Sequence, residues 1–125
     1  MQRLEFEQAW DRTIAQQDRK RIEKIFSETE HKKKQNTVFT LLTVTRNHKK
    51  ELLVMVLIHN FSLELYQVKD ETLQYKENNL LVARHRFALP TPIIPAQTSM
   101  PWTFIFPENS LESNANLVNG SIEID

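Results

Sequence analysis

Four histidines are the side chains of this sequence best suited to chemistry near neutral pH, because imidazole titrates there. None of them has a second metal ligand at the spacing of known metal motifs. His31 and His48 stand among lysines in predicted loops, so we expect both on the solvated surface. His59 ends an apolar stretch and His85 shares a predicted inward face, so we expect core or edge positions for them. The alternative is a small enzyme that uses His59 or His85.

The other reactive side chains form no recognisable catalytic set. The chain has no cysteine, which excludes disulfides, thiol catalysis and thiolate metal sites. It has a single glycine, whereas phosphate-binding loops and dinucleotide folds need several. The serines lie outside any nucleophile-elbow motif, and the carboxylates are scattered. We therefore expect no enzyme activity and predict no catalytic, metal-binding or cofactor-binding residue.

Charge gives little reason to expect a nucleic-acid partner. Acidic and basic residues number 16 each, so the formal net charge is zero. Two basic clusters, Lys32–Lys34 and Lys49–Lys50, lie in predicted loops without interleaved aromatic residues. We expect solvated loops, and the alternative is a weak nucleic-acid or anionic-surface binder that uses these lysines.

The elements that would position these residues are mainly β-strands. From residue 37 onward the apolar pattern has a period of two, and short strands alternate with turns. We predict an immunoglobulin-like β-sandwich of about seven strands over residues 37–125. The predicted strands cover residues 37–45, 51–61, 63–68, 72–75, 80–89, 102–106 and 121–124. The sequence Glu77-Asn78-Asn79 predicts a hairpin, because asparagine tolerates left-handed backbone angles.

The strand at 102–106 is the most sharply bounded. Its alternation places Trp102, Phe104 and Phe106 on one face. Prolines at 95, 101 and 107 lack a ladder donor, so we expect sheet pairing to stop at each of them.

The two tryptophans, Trp10 and Trp102, are expected to be core anchors, and the alternative is that one is an exposed contact for a partner.

The apolar pattern of residues 4–29 predicts one or two helical segments with a turn near residues 13–17. Together with the predicted β-sandwich, they give a single predicted domain over residues 1–125. Asp18 lies at the start of the second segment, where a carboxylate favours the helix dipole. The strand at 52–58 is apolar on both faces and needs cover on both sides. We expect the apolar stripe of the helical segment to cover one face. The alternative is a homodimer in which a second chain provides that cover.

The longest apolar run is too short to span a bilayer, and the charged N-terminus lacks the apolar core of a signal peptide. We therefore expect a cytoplasmic protein without a transmembrane segment.

Two motifs resemble those of a known family. The first is Ala9-Trp10-Asp11, followed by Ile14 and Gln17-Asp18-Arg19. The second is a proline-led loop that runs from Pro95 through Thr98-Ser99 into the string PWTFIFP at 101–107. Both resemble the SLAP domain of the accessory Sec system S-layer assembly protein of Bacillus-type bacteria. Val56–Asn60 and Phe87–Pro90 also fit that family's strand pattern, so the resemblance covers roughly residues 4–112.

Membership of that family would imply a non-enzymatic protein-interaction module linked to accessory Sec-dependent secretion or S-layer assembly. The expected partner is then a component of the secretion machinery or a surface-layer protein, met in the cytoplasm or at the inner face of the membrane. The motif residues expected to support the structure or the interaction are Trp10, Asp11, Asp18, Asn60, Pro101, Trp102, Phe104 and Phe106.

Overall fold

A computed structural model describes the chain over residues 2–28 and 36–125. The helices are α1 (Gln8–Thr13) and α2 (Gln16–Glu28). The strands are β1 (Arg3–Leu4), β2 (Thr37–Arg46), β3 (Leu52–Asn60), β4 (Tyr66–Gln67), β5 (Glu71–Glu77), β6 (Leu80–Phe87), β7 (Ile93–Ile94), β8 (Thr98–Phe106) and β9 (Gly120–Ile124). A short 3-10 turn spans Glu108–Ser110. His31 and Lys32–Lys34 lie outside the described residues.

Two sheets form the β-sandwich that the sequence predicts. The first sheet has the strand order β1-β8-β3-β2, and the second has the order β6-β5-β9. Every neighbouring pair is antiparallel except β1 and β8, which run parallel. The short strands β4 and β7 pair with each other beside the sandwich. Two of the nine described strands, β1 and β7, have only two residues each and no predicted counterpart, which accounts for the difference from the predicted seven.

The main core lies between the two sheets. Alternate residues of β3 point into it, and Val54 and Val56 are fully buried there. The facing sheet contributes Leu73 and Tyr75, which are also fully buried. Because β3 lies between β2 and β8, its central position in the sandwich is confirmed.

Helix α2 covers the opposite face of β3, as the apolar stripe predicts. Ile22 is 3% exposed and packs with Leu42 of β2 and Leu57 of β3 in a second apolar cluster. Half-buried side chains around them include Phe26 and Met55. The sheet is thus covered on both faces within one chain.

The first helix begins later than predicted. Residues 3 and 4 form β1, and α1 starts at Gln8, where the Glu7 side chain accepts a hydrogen bond of 2.6 Å from the Ala9 N–H. That capping bond satisfies one of the free donors at a helix start. The turn between the two helices falls at residues 14–15, within the predicted interval.

The predicted hairpin turn is confirmed, whereas the predicted strand at 63–68 is wrong for most of its length. Asn78 and Asn79 have φ angles of 52° and 68° and join β5 to β6. Only Tyr66 and Gln67 form a strand in the second region, and Leu63 is 80% exposed. Hydrogen bonds from Asn60 and Ser62, described below, hold residues 61–65 in a turn instead.

Across the described residues, no helix is long and apolar enough to cross a membrane.

Candidate interaction site

Strand β8 has the sequence TSMPWTFIF and carries no charged side chain. It pairs with β3 along its whole length, with Phe104 opposite Val54 and Phe106 opposite Leu52. Phe104 is 1% exposed and Phe106 is fully buried. Both rings pack against Phe87 of the facing sheet at centroid distances of 5.2 Å. The predicted inward face of this strand is therefore confirmed.

Pro101 does not interrupt the strand, which corrects the expectation that pairing stops there. It lies inside β8 in register with Leu57. The carbonyl oxygen of Ser99 accepts the Glu5 N–H at 2.9 Å, so Ser99 directs its backbone groups away from β3. Backbone groups two residues apart point to the same side, so Pro101 also faces away from β3. A missing N–H is tolerated at such an edge position, because no ladder bond is lost.

Beyond β1, one side of β8 is uncovered. Strand β1 ends at Leu4, and the chain then turns into α1. Thr103 and Ile105 follow the same alternation as Pro101, so their N–H and C=O groups point to this uncovered side. Among residues 2–28 and 36–125, no group forms a hydrogen bond with them there. Pro101 itself is buried, so we call the backbone of residues 103 and 105 on this side the β8 edge.

An apolar groove runs beside the β8 edge, where the two sheets separate. It has a volume of about 300 Å³ and is lined by His85, Phe87 and Leu89 on one side and by Trp102, Thr103, Phe104 and Ile105 on the other. None of these side chains is a carboxylate, an ammonium or a guanidinium. On the opposite side of the sandwich, β2 and β9 lie alongside each other. We call the opening between β6 and β8 the β6–β8 groove.

The two tryptophans stack on each other at the β8 edge. Their ring centroids are 6.2 Å apart, with an interplanar angle of 22°. Both side chains are half-buried. The sequence left two interpretations, a core anchor or an exposed contact for a partner. Neither holds alone, because each ring is partly packed and partly accessible. Helix α1 thus brings Trp10 to the same part of the surface as the aromatic strand.

The two aspartates of the first motif play local roles away from the groove. Asp11 is exposed and accepts a hydrogen bond of 2.7 Å from Arg19, which ties α1 to α2. The guanidinium of Arg19 also lies 4.5 Å from the ring centroid of Phe6. Asp18 is exposed in the first turn of α2, where the helix dipole favours its charge.

Asn60 is fully buried and fixes two loops at the end of β3. Its Nδ2 donates to the carbonyl oxygens of Glu64 at 2.8 Å, Ile94 at 3.0 Å and Pro95 at 3.1 Å. Its Oδ1 accepts the N–H and the hydroxyl of Ser62 at 3.1 Å and 2.7 Å. A side chain with all its polar atoms engaged in this way supports the fold and cannot contact a partner.

The two histidines singled out by the sequence have different surroundings. His59 is fully buried, with Nδ1 2.6 Å from the Ser99 hydroxyl and Nε2 2.9 Å from the Thr40 hydroxyl. These contacts join three neighbouring strands of the first sheet across its helix-covered face. His85 is half-buried and meets the Phe87 ring edge-to-face at 4.7 Å, in the wall of the groove. The described residues contain no cluster of three or more potential metal ligands.

A buried carboxylate that the sequence did not indicate anchors the loop before β9. Burial raises the pKa of Glu77, but hydrogen bonds from the Asn116 N–H, the Tyr75 hydroxyl and the Leu117 N–H, together with the charge of Arg46, hold it below its usual value. The bond from Tyr75 is 2.8 Å long, and those from Asn116 and Leu117 are 2.8 Å and 2.9 Å. Burial and the same carboxylate raise the pKa of Tyr75.

The chain's only glycine lies against this pair. A Cβ added at Gly120 would lie 2.6 Å from Cε1 of Tyr75, closer than such atoms approach in proteins. Gly120 therefore allows β9 to pass directly over the buried tyrosine ring.

The structure brings five of the eight predicted motif residues to one edge of the sandwich, namely Trp10, Pro101, Trp102, Phe104 and Phe106. Asp11, Asp18 and Asn60 lie elsewhere and have the local partners given above. Sequence reasoning missed the wall formed by His85, Phe87 and Leu89 and the exposed Ile105. The charge-free composition of β8 was the available signal, since exposed edge strands usually carry charges.

The family model of the SLAP domain matches residues 4–121, nearly the whole chain. No curated protein and no solved structure matches the sequence. The match includes both motifs, the helical segment and both sheets of the sandwich. Because it covers far more than half of the sequence, the chain belongs to the SLAP domain family.

Proposed function

We propose that this chain is a non-enzymatic protein-interaction module that acts in accessory Sec-dependent secretion or S-layer assembly. The observation that carries the proposal is the SLAP family match over residues 4–121. The family is named for the accessory Sec system S-layer assembly protein, which gives the proposed pathway.

The geometry supports an interaction role at the β6–β8 groove. The β8 edge combines a charge-free strand, a half-buried tryptophan pair and an apolar groove. Ile105 is 46% exposed there. Tryptophans that are partly accessible and surrounded by apolar side chains are typical of binding hot spots.

The proposed partner is a component of the secretion machinery or a surface-layer protein on its way to export. Such a meeting takes place in the cytoplasm or at the inner face of the membrane. An export substrate is incompletely folded before translocation, so it offers extended apolar segments that a folded protein has buried.

Site-specific photo-crosslinking in the source organism tests the proposal. A photoreactive residue at position 105 lies on the β8 edge, and one at position 123 lies on the exposed face of β9 as a matched control. We expect a crosslink from position 105, but not from 123, to an accessory secretion component or a surface-layer protein. Crosslinks only to proteins outside secretion and surface-layer assembly would contradict the proposal.

A further inference from the structure

We infer that the β8 edge binds an extended, mainly apolar segment of its partner as an additional antiparallel strand of the first sheet. This inference rests on the proposed interaction function and specifies what the site recognises. Its basis is a row of outward-facing backbone groups in strand geometry, which an added strand can pair with.

The β8 edge presents two donors and two acceptors in strand geometry, because Thr103 and Ile105 each direct an N–H and a C=O outward. The strand spacing of about 3.4 Å per residue makes residues 103–105 roughly 7 Å long, so a guest pairs with the edge over about three residues. Antiparallel pairing forms the more stable ladder, so we assign that direction to the guest.

The edge lacks the features that usually prevent strand addition. Natural edge strands carry charged side chains or are covered by another element. The outer strands of the second sheet fit that rule, since β6 carries Arg84 and Arg86 and β9 carries Glu123. Strand β8 has no charge along its nine residues. Pro101 lacks an N–H and so limits pairing at that position, but the N–H groups of Thr103 and Ile105 remain available to a guest strand.

The groove determines which side chains the guest strand can have. Alternate side chains of an added strand would point to the inner side of the sheet, beside Trp102, Phe104 and Phe87 of the β6–β8 groove. A mainly apolar lining without carboxylate, ammonium or guanidinium groups complements apolar guest residues, because a charged guest side chain there would lose water without gaining an ion-pair partner. The guest is thus apolar at every second position and free to be polar at the others.

Binding of a model strand to the full chain provides the test. The probe is a fluorescein-labelled octapeptide of alternating valine and threonine with a lysine at each end, and its control has proline at the central threonine. Thr103→Pro removes a donor from the β8 edge in the way that Pro101 already does, whereas Thr103→Val keeps the N–H. We expect Thr103→Pro to weaken binding by at least about tenfold and Thr103→Val by less than about threefold, since the proline removes one ladder bond to the guest and its ring also blocks the neighbouring bonds.

Amide hydrogen exchange of the wild-type protein gives a second measurement that does not depend on a variant folding. Without peptide, the amides of Thr103 and Ile105 should exchange much faster than those of Trp102 and Phe104, which pair with β3. With peptide, we expect the first two to become protected. Equal binding to a folded Thr103→Pro protein, or protection confined to β9, would overturn the inference.

A second copy of the chain is the competing occupant. Protection of Thr103 and Ile105 without peptide, together with a dimeric mass in sedimentation, would show that β8 pairs with itself and would overturn the inference. If the peptide does not bind the β8 edge while position 105 still crosslinks to a secretion component, the partner uses side chains alone and the proposed function stands. If crosslinking fails while the peptide binds as expected, strand addition stands and the proposed pathway is wrong.

Discussion

Glu77 is a charged group whose burial is offset by three donors, and its ionisation should therefore contribute to stability. The pKa of this carboxyl in the folded chain is below the ordinary value of 4.5. A lowered folded pKa means that the stabilisation is complete above the unfolded pKa and is lost as the pH falls through the folded pKa. The loop before β9 is thus held most firmly at neutral pH.

We expect Glu77→Gln to lower the free energy of unfolding at pH 7 by about 1–3 kcal/mol, because charged hydrogen bonds are replaced by weaker ones. Urea unfolding of both proteins between pH 7 and pH 3 measures this. The difference between wild type and variant should shrink below pH 4.5, as the wild-type carboxyl gains its proton. A difference that stays constant over this range would show that the charge of Glu77 adds nothing to stability.

The aromatic residues of β8 should differ in their contribution to stability according to burial. Phe104 is 1% exposed, so we expect Phe104→Ala to cost about 3–5 kcal/mol. Trp102 is only half-buried, so Trp102→Ala should cost less than Phe104→Ala and should also lose the stacking on Trp10. Thermal and urea unfolding of both variants measure the order, and a larger loss from Trp102→Ala would contradict it.

At the scale of elements, the N-terminal helices act as a cover for the first sheet. Removing residues 1–28 exposes the apolar face formed by Leu42, Met55 and Leu57. We expect the truncated chain to aggregate or to melt far below the full chain, because soluble monomers rarely expose such a patch. Light scattering and calorimetry measure this outcome.

Point variants provide the matched control for this deletion. Ile22→Ala should destabilise by about 2–5 kcal/mol because Ile22 is buried between α2 and the first sheet, whereas Lys24→Ala on the exposed side should change stability by less than about 0.5 kcal/mol. A truncated chain that stays soluble and equally stable would instead make the helices an independent appendage.

Elements with long apolar patterns were predictable from the sequence, and those that depend on distant contacts were not. Strand β3 was predicted because its residues 52–58 are apolar on both faces. The two-residue strand β1 has no periodicity to detect and exists only because the carbonyl oxygens of Gln97 and Ser99 accept the N–H groups of Arg3 and Glu5. The turn after β3 was read as a strand because the hydrogen bonds of Asn60 to residues 94 and 95 are invisible in a local pattern.

The candidate site was predictable in its residues but not in its geometry. The alternation in 102–106 indicated an inward aromatic face, and the family motif added Trp10. Nothing in the sequence placed α1 beside β8, since the Trp10–Trp102 contact joins residues far apart in the chain. The extension of β8 through Pro101 was missed because a proline is compatible with a strand only where its nitrogen faces an open edge, and that requires knowing the sheet order.

For the whole molecule, the balance of charge predicts the response to polyanions. The formal net charge is zero, so no long-range field attracts DNA, RNA or anionic membranes. We expect flat titrations with each of them at low salt, measured by fluorescence anisotropy and vesicle sedimentation. Binding that weakens with salt and disappears in a Lys49→Glu, Lys50→Glu double variant would contradict this expectation and support the lysine loops as a binding surface.

The pairing of Arg3 with Thr98 has a consequence for the order of assembly during synthesis. Strand β1 is made before β8 and joins its sheet only after residue 98 has been made, and β8 in turn is the neighbour that completes the ladder of β3. The nascent chain therefore carries β1 and one side of β3 without their final partners until β8 emerges. Contacts this far apart in sequence close slowly, so we expect the first sheet to be completed only after residue 106 has emerged.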